Sequence, residues 1–394
     1  MNVLQSYWFY LPVMGGNESL MNYIGTALAK EGHNCVIVTG AYPGMPDVEE
    51  ERKGLIVYRT SLMNRFEQKM ESRELEEKLV KFLSGIIKKH KIDVIHAHGI
   101  FKAYIVAHTL AFYRVAMENN VPIVMHDHDL GRTDIQYFVL TKLHWNRILT
   151  VSKVCAADIY EHGGEVNKIK VVYNAVDPTR FKPGIEDKKI KEKLGVKSGE
   201  KLFVSPMRAV DSKGEIQARK GFFTIMKALS LLKEEGLAFK WFFSGGNYGY
   251  DPIRQKAIKK VKDFARLYKI EENCVIGTVL DHEEIPALYA ASDLVLHPSS
   301  DEPFGLVTIE GMAAGKVVIG ANSGATPEII RDGENGVMIE PDNYVQLANR
   351  IRDLINDEKE CERIGLNARR TVEERFSIKK MIKELVKVYE GARK

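Results

Sequence analysis

The chain has 394 residues, 45% of them hydrophobic and 28% charged, which is enough for two globular domains with separate cores. With 57 basic against 53 acidic residues, the net charge of +4 gives no sign of a nucleic-acid-binding protein. Four cysteines without a CxxC pair argue against a disulfide framework or a zinc knuckle and favour a reducing cytosol. The N-terminus lacks the basic region and cleavage site of a signal peptide, so we expect a soluble protein.

The first half alternates short strand-like runs with longer helical patterns. The Val- and Ile-rich runs NCVIVTG, IDVIHAHG and VPIVMHDHD predict strands, whereas GNESLMNYIGTALAKEG and LEEKLVKFLSGIIKKHK repeat apolar residues at the spacing of a helix. This β-α-β alternation predicts a parallel sheet covered by helices, with ligands bound at the carboxyl ends of the strands.

The pattern breaks after Asn174 in a charged stretch with two prolines, DPTRFKPGIEDKKIKEKLGVKSGE, and then starts again at KLFVSPMR. We therefore expect a first domain over residues 1–190, a second over 191–375 and a terminal helix over 376–394. Both halves show the same alternation, and no short repeat or low-complexity tract is visible, so we expect two α/β domains rather than a solenoid or a disordered chain.

Two carboxylates mark the segment SSDEPFGLVTIEGMAAG, residues 299–315. Glu302 falls in the loop between a buried strand and a predicted helix, and Glu310 lies about one and a half turns into that helix. Gly305 permits close approach of the backbone, and the first-turn amides favour an anion such as a diphosphate. Because a carboxylate accepts hydrogen bonds from both hydroxyls of a diol, this arrangement suits a nucleotide sugar. Spacing alone leaves open that Glu302 is a loop charge and that Glu310 pairs with a lysine or arginine.

The wider run ASDLVLHPSSDEPFGLVTIEGMAAGKVVIGANSGATPEIIRDGENGVMIEPDN closely resembles the donor-binding region of retaining GT-B glycosyltransferases of the large fourth sequence family, or glycosyl transferases group 1. It carries the E-x7-E element of that family as Glu302 and Glu310. Segments from both halves agree in the same order, among them GGNE, IDVIHAHG, VMHDH, RKGFFTIMKAL and GTVLDHEEIPALYAASD. The resemblance implies a GT-B fold, with two Rossmann-like doubly wound parallel-sheet domains facing a cleft.

The resemblance assigns the donor to the second domain. It implies that Glu302 holds hydroxyls of the transferred sugar, that Glu310 binds the ribose diol and that backbone groups of Val279 meet the base. The remaining contacts that it implies, to the sugar and the phosphates, come from Phe304, Gly305, Leu306 and Val307.

A basic pair that stabilises the leaving diphosphate in this family matches Arg208 and Lys220. The segment between them, MRAVDSKGEIQARKG, is longer than is usual in the family and offers a second lysine, Lys213. We choose Lys220 because it directly precedes the helical run FFTIMKAL. On charge alone, Lys220 could equally be a solvated lysine at the start of that helix.

In the first half, Gly15 and Gly16 follow the first strand and open a helix. The resemblance implies that Gly16 approaches the donor phosphate, although a Gly-Gly pair often does no more than make a turn. Asn17 or Glu18 could cap the same helix.

Histidines end two of the predicted strands. The resemblance places His126 beside the reaction centre, where it would bond a hydroxyl of the donor sugar; a strand-end histidine with a purely structural role is the alternative. We interpret VMHDHDLGRT as carrying no metal site, because a DxD motif belongs to the other glycosyltransferase fold. His96 and His98 share a strand face, but no third ligand is apparent, so we do not expect zinc there either.

The resemblance therefore implies a retaining, metal-independent hexosyltransferase that needs no cofactor. Its donor would be a UDP-, GDP- or ADP-linked sugar, and its acceptor a carbohydrate, a lipid-linked compound or a small molecule. We expect a cytoplasmic protein in carbohydrate biosynthesis without a nucleic-acid partner, and contact with the inner face of the membrane stays open. A non-hydrolysing sugar-nucleotide epimerase and a non-catalytic donor-binding subunit are the alternatives.

Overall fold

The computed structural model describes residues 1–12, 15–64, 73–99, 106–207, 215–243, 251–278 and 280–393. They form two compact units, the first made of Met1–Asn174 with Ile378–Lys394 and the second of Ala175–Ser377. Residues 175–190, which the sequence analysis assigned to the first domain, thus belong to the second unit.

The first unit is built on one sheet. Its strands are β1 (Asn2–Ser6), β2 (Asn34–Gly40), β3 (Val48–Arg52), β4 (Leu55–Thr60), β5 (Val94–His98), β6 (Ile123–Asp127), β7 (Arg147–Thr150) and β8 (Ile169–Val171). Among the described residues they pair in the order β3-β4-β2-β1-β5-β6-β7-β8. The pairing is parallel except between β3 and β4, which run antiparallel at one edge. The alternation of elements did not predict that edge hairpin.

Helices cover this sheet. They are α1 (Gly16–Lys30), α2 (Arg73–His90), α3 (Val106–Glu118), α4 (Asp134–Lys142) and α5 (Lys153–Glu161). In α2 the buried side chains of Leu75, Leu79 and Leu83 recur every four residues, which places them on one face of the helix toward the core.

The second unit repeats this plan. Its strands are β9 (Lys201–Ser205), β10 (Phe239–Phe243), β11 (Cys274–Val275), β12 (Leu294–His297), β13 (Val317–Ala321) and β14 (Val337–Ile339). The described strands pair in the order β11-β10-β9-β12-β13-β14, all in parallel. Strands β12 and β13 are buried along their whole length, as expected of a parallel sheet covered on both faces.

The helices of the second unit complete the two layers around its sheet. They are α6 (Lys188–Lys193), α7 (Phe222–Glu234), α8 (Asp251–Leu267), α9 (Ile285–Ala291), α10 (Leu306–Ala313), α11 (Thr326–Ile329), α12 (Tyr344–Ile355) and α13 (Glu358–Arg375). Its core holds the aromatic side chains of Phe203, Phe222, Phe239, Trp241 and Phe243.

The last helix, α14 (Ile378–Ala392), belongs to the first unit. Its Tyr389 hydroxyl lies 2.7 Å from Nδ1 of His96 on β5, and Arg147 on β7 donates to the carbonyl of Gly391 over 3.0 Å. The chain therefore returns to the sheet that it built first. None of the helices in the described part of the chain is both long and apolar enough to cross a bilayer.

Each sheet has a point where the strand order reverses. In the first unit the chain moves from β1 to β2 on one side and later to β5 on the other, and in the second unit β10 and β12 flank β9 in the same way. Ligands of open α/β sheets bind in the crevice that such a reversal leaves at the carboxyl ends of the strands. The loop that carries Glu302 follows β12, and so lies at the reversal of the second sheet.

Candidate functional site

The loop after β12 holds Glu302 by its backbone. The amide of Ala325 donates to the Glu302 carbonyl over 2.9 Å, and Gly324 packs so closely that a Cβ there would lie 2.5 Å from the same oxygen. Gly324 also has a φ of +55°, which glycine adopts without strain. The segment 323–325 therefore fixes the position of Glu302 and requires glycine at its centre.

Helix α10 begins directly after this loop. Gly305 is its N-cap residue, with a φ of +103° in the left-handed region. The amides in the first turn of a helix have no partner within the helix and carry the positive end of its dipole. Leu306 and Val307 are the first two residues of this turn, whereas the side chain of Phe304 is buried against Phe376, with ring centroids 5.8 Å apart.

The start of α7 contacts the end of β12 closely, and this contact positions Lys220. Gly221 has a φ of +76°, and a Cβ on it would lie 2.3 Å from the carbonyl oxygen of Pro298. The amide of Ser300 donates to the carbonyl of Arg219 over 2.8 Å. Only glycine fits at position 221, so the preceding residue is held beside the Glu302 loop.

Lys220 and Glu302 form an ion pair. Lys220 Nζ lies 2.7 Å from Glu302 Oε2, and the carboxylate side chain is only 11% exposed. His297, the last residue of β12, places its Nε2 3.7 Å from the same oxygen and bonds Thr308 through Nδ1 over 3.1 Å. Glu302 is thus a buried, paired carboxylate rather than a solvated loop charge.

The pKa values at this pair follow from burial and charge. Burial alone would raise the pKa of Glu302, but the Lys220 ammonium, together with His297 and a hydrogen bond from Ser299, outweighs it and lowers the pKa to about 2. Burial lowers the pKa of His297 to about 4, and the effects of Glu302 and Lys220 on it oppose each other. At neutral pH the cluster therefore holds an ionised carboxylate, an ammonium group and a neutral imidazole.

Glu310 has a different environment on α10. The hydroxyl of Tyr289, a buried residue of α9, donates to Glu310 Oε2 over 2.7 Å. Burial raises the pKa of Glu310 to about 7, although this hydrogen bond and the charge of Arg180 act in the opposite direction. In the described part of the chain its bonded partner is a hydroxyl, not the lysine or arginine that the spacing left open.

The sequence analysis missed Tyr289 and His297 as parts of this site. Both lie in segments quoted for the resemblance, ALYAAS and LVLHPSS, but their partners are 21 and 11 residues away. A tyrosine in an otherwise apolar helix is a usable signal, because a buried hydroxyl requires a partner.

Two of the expected donor contacts, Arg208 and Val279, lie outside the described residues. Lys213, the alternative to Lys220, lies outside them as well. Of the expected donor residues that the structure describes in the second unit, Lys220 and Glu302 lie together, and Glu310 lies further along α10 beside Tyr289.

The other two expected residues, Gly16 and His126, belong to the first unit. Gly16 is the exposed first residue of α1, and the N-cap is Gly15. Asn17 does not cap the helix with its side chain, because its amide donates to the Tyr7 hydroxyl over 3.1 Å. His126 lies on β6 and is fully buried.

Strands β5 and β6 also bring histidines together in a way that the sequence analysis did not anticipate. His126 Nδ1 lies 3.1 Å from His96 Nε2, and His128 Nε2 lies 3.0 Å from His98 Nδ1. A third histidine that could act as a ligand beside His96 and His98 therefore lies on the neighbouring strand. The sequence signal for this cluster was an HxH pattern in each of two segments that are predicted to form strands of one parallel sheet.

In chemical terms, the second unit offers an anion site with a cation and two carboxylates. The α10 amides and Lys220 attract negative charge, while Glu302 and Glu310 accept hydrogen bonds from hydroxyl groups. A diphosphate joined to polyhydroxylated groups matches both features.

Comparison with protein families agrees with this chemistry. The sequence model of the family described as Glycosyl transferases group 1 matches residues 186–371, and that of Glycosyltransferase Family 4 matches residues 14–180. The chain belongs to the glycosyl transferases group 1 family. Members of this family transfer sugars from nucleotide sugars, which makes this protein a glycosyltransferase.

Individual relatives extend over the whole chain. An uncharacterized glycosyltransferase from Methanocaldococcus jannaschii is 25% identical, with 100% of this chain and 98% of the relative covered. Among solved structures, a glycosyltransferase from Rickettsia africae is 22% identical with a TM-score of 0.79, covering 100% of this chain and 98% of the other. Anabaena HepE, in complex with UDP and glucose, is 21% identical with a TM-score of 0.77, covering 98% and 99%. These structures show that the fold is GT-B.

Proposed function

We propose that this glycosyltransferase moves a hexosyl-type group from a nucleotide diphosphate sugar to an acceptor hydroxyl, with retention of configuration and without a metal ion at the diphosphate. The observation that carries the proposal is the Lys220–Glu302 pair, 2.7 Å apart, beside the first turn of α10. In this proposal the Lys220 ammonium group binds the leaving phosphate, and the Glu302 carboxylate binds a hydroxyl of the sugar.

The donor contacts follow the order of the ligand. Glu302 accepts from hydroxyls of the transferred sugar, Glu310 accepts from the ribose diol, and Val279 meets the base through its backbone. The backbone contacts to the sugar and phosphates come from Phe304, Gly305, Leu306, Val307 and, in the first unit, Gly16.

Lys220 and Arg208 stabilise the leaving diphosphate. Negative charge grows on the bridging oxygen as it separates from the anomeric carbon, and two cationic groups with the α10 amides offset that charge. These groups take the role that a divalent ion has in other enzymes, so the proposal requires no metal at this position.

Transfer then makes one bond and breaks another. The acceptor oxygen forms a bond to the anomeric carbon, the bond from that carbon to the phosphate oxygen breaks, and the departing diphosphate accepts the proton of the acceptor hydroxyl. Attack from the face of the leaving group retains the configuration. His126 donates to a hydroxyl of the donor sugar through Nε2, a buried nitrogen without a hydrogen-bond partner among the described residues.

A reducing compartment is part of the same proposal. All four cysteines are free in the structure, which agrees with a cytoplasmic protein. The proposed acceptor is a carbohydrate, a lipid-linked compound or a small molecule.

The first experiment is a calorimetric panel of UDP-, GDP- and ADP-sugars, starting with UDP-glucose because HepE is a neighbour in complex with UDP and glucose. We expect one nucleotide class to bind, and the Glu310→Ala variant to bind it about 10- to 100-fold more weakly. Failure of the folded wild-type protein to bind any of these donors would overturn the proposal.

Turnover of the bound donor separates the remaining alternatives. Incubation with donor alone, followed by analysis of the sugar, detects an epimerase. Release of nucleoside diphosphate only in the presence of an acceptor, with an α-linked product from an α-linked donor, identifies retaining transfer. Donor binding without turnover across an acceptor panel would instead identify a non-catalytic subunit.

A further inference from the structure

Four histidines form a buried cluster in the first unit, at the ends of β5 and β6. His96, His98 and His126 are completely buried and His128 is 7% exposed. The first three each offer a ring nitrogen, and these nitrogens all lie within 4.8 Å of one another. Alternate residues of a strand share a face, so two HxH segments on adjacent parallel strands place all four rings on the same side.

Two neighbouring side chains orient the rings on β5. The Gln5 amide oxygen only accepts, and it lies 3.2 Å from His98 Nε2, which must therefore carry the proton. The lone pair of His98 is then on Nδ1, which faces His128. Tyr389 holds Nδ1 of His96 over 2.7 Å, so that Nε2 faces His126. Partners on the outer nitrogens of histidines are typical of metal-binding sites.

Hydrogen bonds between the rings do not satisfy this cluster. Nε2 of His126 and Nδ1 of His128 are buried and have no hydrogen-bond partner in the described part of the chain. A coordinating imidazole nitrogen must carry no proton, and the Gln5 partner of Nε2 leaves Nδ1 of His98 in that state.

We propose that His96, His98 and His126 bind one Zn²⁺ ion. Imidazole nitrogen without carboxylate or thiolate suits zinc and its late first-row neighbours rather than magnesium or calcium. Ligand nitrogens of a tetrahedral zinc site lie about 3.3 Å apart, close to the 3.1 Å between His96 and His126. The widest pair of the three would close by at most about 1.5 Å on binding.

The ion would have a structural role, and the site shares only His126 with the proposed transfer reaction. It belongs to the first unit, whereas Lys220, the cation proposed for the diphosphate, belongs to the second. Coordination through Nδ1 of His126 leaves Nε2 for the role proposed above. The ion would link β5 to β6 next to His96, which Tyr389 of α14 contacts, and would so stabilise the strand ends of the first unit.

The test begins with the wild-type, full-length protein stripped of metal by a chelator and dialysed. We expect titration with Co²⁺ to give one bound ion per chain, with the intense visible absorption of a four-coordinate site that Zn²⁺ then displaces. Equimolar Zn²⁺ should raise Tm by a few degrees. Absence of stoichiometric Co²⁺ and Zn²⁺ binding at micromolar concentration would overturn the proposal, whatever the variants do.

The variants locate the ion. His98→Gln and His96→Gln should each lower Zn²⁺ affinity by at least tenfold, and neither residue has a part in the proposed transfer. His144→Gln, at an exposed histidine of the same unit, is the matched control and should bind as wild type does. Circular dichroism and chelator-treated melting curves show that each variant is folded. Equal affinity in the wild type and both cluster variants would place the ion elsewhere and contradict the assignment.

Discussion

Glu302 and Glu310 lie eight residues apart in one loop–helix segment, yet their acidities move in opposite directions. Burial raises the pKa of both, but Glu302 ends at about 2 and Glu310 at about 7. The difference is the partner, because Lys220 brings a full positive charge to the first and Tyr289 brings only a hydroxyl to the second. A charged partner therefore decides whether a buried carboxylate stays ionised at neutral pH.

Removing Lys220, the charged partner of Glu302, should have the largest effect on turnover. In the proposed reaction, Lys220→Ala should lower kcat by about 100- to 1,000-fold, since the leaving diphosphate loses a stabilising cation. It should also raise the pKa of Glu302 toward that of Glu310. Turnover at saturating donor measures the first effect.

Lys193→Ala is the matched control for this variant. Lys193 forms an ion pair of the same 2.7 Å length with Glu284, but in a more exposed position of the same unit. Its loss should change kcat less than twofold. Equal turnover of Lys220→Ala and the wild type would reject Lys220 as the cation of the site.

Displacing Lys220 through the backbone tests the same pair without deleting a charge. Gly221→Ala places a Cβ 2.3 Å from the Pro298 carbonyl oxygen in addition to the strain of a positive φ. We expect it to lower the free energy of unfolding by about 3 kcal/mol, as measured in urea.

Gly236→Ala separates the backbone strain of a positive φ from the steric clash of an added Cβ. Gly236 also has a positive φ, of +91°, but a Cβ there meets nothing within 4 Å. This variant should lose only about 1 kcal/mol. If the two variants unfold at the same urea concentration, the close contact between Gly221 and the end of β12 adds nothing to stability beyond the strain of a positive φ.

Glu310, the carboxylate with the neutral partner, can be tested for its role in donor binding. Glu310→Ala should weaken the binding of the nucleotide diphosphate by about 10- to 100-fold, the value of a hydrogen bond to a charged group. Calorimetry measures this change, and Glu358→Ala, at an exposed carboxylate of α13, should bind as wild type does. An unaltered affinity in Glu310→Ala would assign the ribose to another group.

The raised pKa of Glu310 predicts a modest dependence of binding on pH. A carboxylate with a pKa of about 7 is ionised above that pH and protonated below it, so affinity should fall about fivefold from pH 7 to pH 6. Glu310→Gln cannot titrate and serves as the control, because any remaining slope belongs to the nucleotide itself. Parallel pH profiles for the two proteins would show that Glu310 does not titrate in this range.

The sequence predicted the segments in which fold and site are encoded locally. The strand–loop–helix from Leu294 to Ala313 can be read from one continuous pattern, and Lys220 stands directly before the apolar run of α7. The β-α-β alternation similarly predicted two parallel sheets, which the structure contains apart from the antiparallel edge pair of β3 and β4.

Contacts between distant segments could not be predicted in this way. Tyr289 and Glu310 meet because α9 and α10 pack together, and His96 meets His126 only because β5 and β6 pair in one register. Neither packing nor register is written in the spacing of residues along one segment. The edge strand β3 was missed for a related reason, since its partner β4 and not its own sequence gives it the strand conformation.

The return of α14 to the first unit has a consequence for the order of synthesis. Residues 175–377 are continuous, so the second unit is complete once they have left the ribosome. The first unit begins earlier but lacks its last helix until residues 378–394 follow. The part of the chain made first is therefore finished last, and a chain that ended at residue 377 would contain one complete unit and one that lacks α14 with Tyr389.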